Sequence, residues 1–201
     1  EMSASLVGSE MCIRDRNMLV LATDTESESV EDQIIKIDTQ TGEVSCVLDL
    51  EELFPDYKET CIKNDDGELD WMHINTIQWI GDDAVLLSSR ETSTILMITD
   101  IYDSPKVEYM IGEESFWEGT GYEELLLQKD ESMGTFSNTG GQHSITYVKD
   151  ETLDEGEYYL YLFNNNFGTS NSNPSYDWKQ IDGMETVSYT HLRAHETSAH
   201  L

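Results

Sequence analysis

The chain is organised by a repeat. Leu19-Val20-Leu21-Ala22 precedes Gln33-Ile34-Ile35-Lys36-Ile37-Asp38 just as Val85-Leu86-Leu87-Ser88 precedes Thr94-Ile95-Leu96-Met97-Ile98-Thr99-Asp100. Tyr159-Leu160-Tyr161-Leu162 takes the same place a third time, at offsets of 66 residues from Leu19 to Val85 and 74 from Val85 to Tyr159. The apolar runs are short, rich in Val, Ile, Leu and Tyr, and bounded by Asp, Gly and Asn, and no long stretch holds a helical period, so the fold class is all-β. Strands are expected over 18–22, 33–37, 44–48, 74–80, 84–89, 94–99, 107–111, 144–148 and 158–163, with short helices over 51–54 and 122–127. Recurring units of four short strands with long irregular connections suit the blades of a β-propeller, whose inner strands line a central channel. About three blades are expected, the outer ones incomplete. A β-sandwich gives the same strand count without predicting the repeat.

The 201 residues carry 41 Asp and Glu against 11 Lys and Arg, a formal charge of -30. That balance repels phosphate backbones and anionic headgroups, which sets aside a nucleic-acid binder or a protein held on a membrane surface. A 38% hydrophobic and 9% aromatic content still supplies a core, so disorder is excluded. No apolar run approaches the ~20 residues of a membrane span.

The two ends are related to each other through their codons. Residues 6–15 can be encoded by CTC GTG GGC TCG GAG ATG TGT ATA AGA GAC, whose reverse complement translates as Val-Ser-Tyr-Thr-His-Leu-Arg-Ala-His-Glu, the sequence of residues 187–196. The relation continues outward to Glu1 and Leu201, covering fifteen pairs. The nucleotide string looks like a transposase adapter used to prepare sequencing libraries. Residues 1–16 and 187–201 are therefore expected to be translated adapter, and residues 17–186 an interior piece of a longer gene. Within that piece Arg90 is the only arginine, seven lysines stand beside it, and 37 acids oppose them, a net charge of -29. The histidines reduce to His73 and His143, and the cysteines to Cys46 and Cys61.

Both histidines occupy matching places in successive repeats, one residue before the first strand of the unit, in Asp70-Trp71-Met72-His73-Ile74-Asn75 and in Gly140-Gly141-Gln142-His143-Ser144-Ile145. That strand is innermost in a propeller, so both imidazoles are expected to face the channel, with Arg90 at the end of the second strand of the His73 unit. One arginine, two histidines and Asn75 would then converge at one mouth of the channel, a local cationic pocket in an acidic protein. Such a pocket suits a compact anion: a guanidinium fork binds two oxygens of a sulfate or phosphate. A neutral imidazole can attack, and a protonated one can stabilise anionic oxygens or donate a proton. Taken singly, each residue has a structural reading: a histidine as a hydrogen-bonding group, Arg90 as an ion pair, Asn75 as a strand-edge residue.

Other features are weaker. Asn64 to Asp70 has an acidic rhythm, but Gly67 is misplaced for an EF-hand loop, and an Asp-Gly turn is the better account. The acid runs over 26–32, 51–52 and 150–157 are expected to be solvated loops, and Trp71, Trp79 and Trp117 to be core or channel wall. Cys46 and Cys61 have no metal-ligand spacing and could be a disulfide or two thiols. With no phosphate-cradling glycine loop and no serine-nucleophile elbow, neither cofactor nor metal is expected.

At Asp70-Trp71-Met72-His73-Ile74-Asn75, Ser88-Ser89-Arg90 and Gln142-His143 the chain resembles the bacterial arylsulfate sulfotransferases, over Trp71 to Phe167. The resemblance implies a six-bladed propeller, an extracytoplasmic setting (periplasmic or cell-surface), aryl sulfates and phenols as small-molecule partners, and a homodimer of the full-length protein. It implies that His143 is the histidine that becomes sulfated, in ping-pong order, with His73, Asn75 and Arg90 around the sulfuryl group. No cysteine lies between Arg90 and His143, so the disulfide that one family member carries before its nucleophile has no counterpart. The fragment alone is expected to be inactive. The alternative is a non-catalytic propeller that serves as a ligand-binding or scaffold module.

Overall fold

The computed structural model describes residues 17–23, 29–129, 138–154 and 156–165, together with the backbone of two further strands, Cys12–Arg14 and Ser188–His195. In chain order the strands are β1 Cys12–Arg14, β2 Asn17–Ala22, β3 Gln33–Asp38, β4 Val44–Asp49, β5 Ile74–Gly81, β6 Ala84–Ser89, β7 Thr94–Thr99, β8 Lys106–Ile111, β9 His143–Val148, β10 Glu157–Asn164 and β11 Ser188–His195. They form three antiparallel meanders, β1-β2-β3-β4, β5-β6-β7-β8 and β9-β10-β11, in which sequence neighbours are hydrogen-bonded neighbours. The protein is all-β, as expected, and the repeated apolar motif falls on the second strand of each sheet. No closed barrel occurs among the described residues. β1 and β11 both lie in the terminal stretches with complementary codons.

The middle sheet shows why its strands read as unbroken apolar runs. β6 is buried at every position and β7 at all but the last, because a sheet covered on both faces has no polar side. Alternation sorts the side chains. Val85, Leu87, Leu96 and Ile98 pack with Leu19, Leu21, Ile34 and Leu48 of the first sheet. Leu86, Ile95 and Met97 point the other way and pack with Ile145, Tyr158, Leu160 and Leu162 of the third. A buried hydroxyl contact between Tyr109 and Tyr158 ties β8 to β10.

Three short helices wedge an aromatic cluster beside the first two sheets. α1 Leu50–Leu53 is capped by Asp49, whose side chain accepts from the Glu51 N–H at 2.9 Å. α2 Pro55–Thr60 opens on proline, whose fixed φ suits a helix start. α3 Glu114–Trp117 follows β8. Tyr57 from α2 meets Trp71, Phe116 and Trp117 with ring centroids 6.0, 5.8 and 5.2 Å apart. The expected helix over 51–54 is α1 within a residue, and that over 122–127 is a 3-10 turn, Glu123–Leu125. α2 and α3 go beyond the sequence reading, because four to six residues hold too little of a helical period to detect.

Two expectations are corrected. The acid run over 26–32 is not a solvated loop at its end: Asp32 is buried, and one oxygen accepts from Ser29 Oγ at 2.5 Å, Trp71 Nε1 at 2.9 Å and Lys58 Nζ at 3.4 Å. Likewise Glu157 is buried at the start of β10, where it accepts from the Asp154 N–H at 3.2 Å. Each carboxylate is buried because donors await it, and a run of acids shows nothing of those donors. Glu51 and Glu52 are exposed, and the Asn64–Asp70 segment turns at Gly67 with φ +85°. Cys46 and Cys61 are both free thiols. Trp71 and Trp117 are fully buried in the core, and Trp79 packs against Tyr102 with centroids 6.0 Å apart.

Leu96 lies at the centre of this arrangement with no exposure. Leu96→Ala should lower stability by about 2–5 kcal/mol through lost burial and an unfilled cavity. A urea titration should show a lower midpoint at an unchanged slope, and an unchanged midpoint would contradict the packing described.

Candidate functional site

His73 sits in the last step before β5, between the fully buried Met72 and Ile74. Its φ of +49° is a left-handed conformation that costs a non-glycine residue about 1–3 kcal/mol. Neighbouring backbone holds it there: Arg90 N–H donates to the His73 carbonyl at 3.1 Å and Ile74 N–H to the Glu31 carbonyl at 3.0 Å. With both flanking side chains locked in the core, the left-handed step leaves the imidazole half-buried beside two carboxylates. Nδ1 lies 2.9 Å from Asp70 Oδ1, and Nε2 lies 3.3 Å from Glu31 Oε2.

Arg90 comes from the β6–β7 turn, not from the end of β6 as expected, because β6 stops at Ser89. That turn is polar yet buried. Ser89, Glu91, Thr92, Ser93 and Thr94 are all almost fully covered. Buried polar groups must find partners, and here the partners are the segments that carry the histidines. Ser89 Oγ donates to the Met72 carbonyl at 2.6 Å, and the Glu91 N–H reaches the same carbonyl at 3.3 Å. Gly141 N–H donates to Ser93 Oγ at 3.0 Å. The guanidinium of Arg90 pairs with the buried carboxylate of Glu91.

β9 starts one residue earlier than expected, so His143 is its first residue instead of the one before it, and it pairs with Phe163. Its ring and that of His73 meet edge to face, with centroids 6.5 Å apart. Both histidine strands are bulged directly after the histidine. In β5 the register passes from Ile74↔Ser89 to Thr76↔Ser88, stepping over Asn75. In β9 it passes from His143↔Phe163 to Thr146↔Tyr161, with Ser144 at φ +54°. Bulges re-aim side chains near sites. Asn75 is re-aimed at the neighbouring sheet: its Nδ2 donates to the Gln142 carbonyl at 2.8 Å.

The structure thus brings His73, His143, Arg90 and Asn75 together, as the sequence suggests, and adds Glu31, Asp70, Glu91 and Gln142. Asp70 and Gln142 stand inside the quoted motifs without a role; three residues before His73 is hydrogen-bond reach across a turn, a signal that was available. Glu31, more than forty positions away in sequence, offered none.

These neighbours drive the two imidazoles apart. For His73, burial disfavours the charged form, but the Asp70 hydrogen bond and the charges of Asp70 and Glu31 outweigh it, with Arg90 opposing, and hold the group above its ordinary 6.5. For His143, burial and then the positive charges of His73 and Arg90 all lower it below 6.5. Glu31 is itself pushed up, chiefly by burial. The surroundings thus push His73 toward keeping its proton and His143 toward losing it, a separation of the kind that acid–base pairs use.

Among the described residues, Asp70, His73 and Glu91 place possible metal-ligand atoms within 4.8 Å of one another. Those atoms are committed elsewhere, Nδ1 to Asp70 and Glu91 to Arg90, and the adjacent guanidinium repels a cation. The group is a charge network. An open recess of about 520 Å³ adjoins His143 and is lined by Thr146, Tyr161, Phe163 and Asn165 among others.

The sequence model of the arylsulfotransferase (ASST) family matches residues 9–195. The chain belongs to the arylsulfotransferase family. No curated protein and no solved structure matches it. The arylsulfotransferase match embraces every residue of the site described above, together with parts of both terminal stretches.

The linked titrations of this arylsulfotransferase can be tested directly. A raised His73 contributes stability that is full below its unfolded value and is lost as pH rises through the folded value. A lowered His143 works in the opposite sense, costing stability as pH falls through its unfolded value. Asp70→Asn should bring His73 down and, by thinning the positive charge beside it, let His143 rise. NMR titration of the two imidazoles reads both movements, and a His143 that stays put would break the proposed coupling.

Proposed function

We propose that the chain carries the site of a sulfuryl transfer from an aryl sulfate ester to a phenol, in ping-pong order through a sulfohistidine on His143. The observation that carries this reading is the edge-to-face approach of two imidazoles, of which only His73 has carboxylates within reach, with a guanidinium whose charge acts on both. A neutral His143 nitrogen attacks sulfur. The sulfur–oxygen bond to the aryl group breaks, its electron pair leaves on the phenolate, and a proton from His73 neutralises that oxygen. In the second step an incoming phenol returns its proton to His73 and its oxygen attacks the same sulfur. The sulfur–nitrogen bond breaks and its electrons go back to His143. Arg90 and the His73 imidazolium face the charge on the non-bridging oxygens, as cationic clamps do in phosphoryl transfer.

In the same reading the three meanders are successive blades of a β-propeller. The adjacency of the sheets supports this, since β5 contacts β9, the first strand of the third sheet, and β2 of the first, as inner strands of successive blades do around a channel. Six blades, an extracytoplasmic setting and a homodimer belong to this proposal through family kinship.

The test uses the longer gene product that carries this chain, with a chromogenic aryl sulfate and phenol. Donor alone should release one burst of phenol and leave an acid-labile adduct on His143, detectable by mass spectrometry, which His143→Ala abolishes. Arg90→Ala should lower turnover by about 100- to 1,000-fold. The pH profile of kcat/KM should rise as His143 loses its proton, below the ordinary histidine value, and fall as His73 loses its proton above it. Turnover without any adduct would sink the two-step mechanism, and binding without turnover would favour a ligand-binding module.

A further inference from the structure

We infer that Gln142 and Asn75 form a brace that sets the position of His143 against the turn carrying Arg90. The kinetic consequence rests on the sulfuryl-transfer reading above. The brace itself rests on geometry.

Gln142 has no exposed surface, and every polar group of its side chain is engaged. Nε2 donates to the Ser89 carbonyl at 3.1 Å and to the Thr94 carbonyl at 3.1 Å, the two residues that bracket the β6–β7 turn. Oε1 accepts from Thr139 Oγ1 at 3.2 Å. Its backbone carbonyl, one peptide before His143, accepts from Asn75 Nδ2 at 2.8 Å and from Ser88 Oγ at 3.2 Å. One residue therefore grips both ends of the Arg90 turn with its side chain, while its main chain is gripped by β5 and β6. Asn carries the same carboxamide on an arm one methylene shorter, which draws the amide back from the Ser89 and Thr94 carbonyls. Asn75 commits one Nδ2 hydrogen to this device, and its Oδ1 accepts from Thr76 Oγ1 at 3.0 Å.

A misplacement on the order of 1 Å between attacking atom and oxygen clamp costs about 100-fold in rate without loosening substrate. In the longer gene product, Gln142→Met keeps the side-chain length and removes both donors. It should slow the donor burst by about 100-fold while the aryl sulfate dissociation constant stays within about 3-fold. Asn75→Leu should behave alike, because it removes the donor to the Gln142 carbonyl at similar size and without adding charge. The double variant should be no slower than the worse single variant, since both break one device. Should Gln142→Met not fold, Ser88→Ala leaves the carboxamide intact, removes one donor to its carbonyl, and should slow the burst by roughly 10-fold at unchanged affinity.

Losses that multiply in the double variant would overturn the brace, and so would an Asn75→Leu variant that loses affinity at an unchanged burst. A folded Gln142→Met with the wild-type burst would overturn it as well. If the wild type forms no adduct, the transfer reading fails and the brace is read by NMR instead. His143 faces His73 and Arg90, and in Gln142→Met it should titrate closer to an ordinary histidine as it drifts from them. An identical titration in both proteins overturns the brace.

Discussion

Most of the structure around the site depends on one demand, that the polar turn between β6 and β7 be satisfied out of reach of water. Ser88, Ser89, Thr92, Ser93 and Thr94 carry hydroxyls, and Glu91 a carboxylate, into a region where an unpaired group costs about 1–3 kcal/mol. The partners come from three directions: the Met72–His73 backbone, the Gly141–Gln142 segment, and Trp117, whose Nε1 donates to Thr94 Oγ1 at 2.9 Å. Gly112 belongs to the same accommodation, because a Cβ there would stand 2.6 Å from Thr94 Oγ1. The turn is thus a hub that leaves the two histidine-bearing segments little freedom of placement.

Electrostatics then works within that frame. An acidic chain must keep its few cations from being neutralised at random, and here the acids near the site have assigned partners: Glu91 on Arg90, Asp70 and Glu31 on His73, Asp32 on Lys58, Ser29 and Trp71. Their distribution is uneven. Two carboxylates face one imidazole and none is among the causes acting on the other, which is enough to separate two groups of identical chemistry.

The sheets were legible because alternation and apolar runs are local: β6 and β7 have the bounds that their composition suggests. The convergence of His73, His143, Arg90 and Asn75 was legible because the repeat puts equivalent residues at equivalent strand ends. Motifs also pointed to the family. What stayed hidden is whatever depends on burial of a polar group. Glu31 and Asp32 close a run of acids that looks solvated, and nothing local announces Trp71 and Lys58 as their neighbourhood. Gln142 looks like any glutamine beside a histidine until the carbonyls of Ser89 and Thr94 are seen opposite its amide. The bulge at Asn75 likewise has no proline or glycine to mark it.

The 6.5 Å approach of the two rings joins residues from different sheets and seventy positions apart. His143 owes its lowered basicity to burial and to His73 and Arg90, none of which acts on it before β9 docks against β5. Without β9 against β5, His73 keeps Asp70 and Glu31 beside it but has no second ring to perturb. The lowered basicity of His143 is thus a property of the contact between two sheets, and it is lost wherever that contact opens.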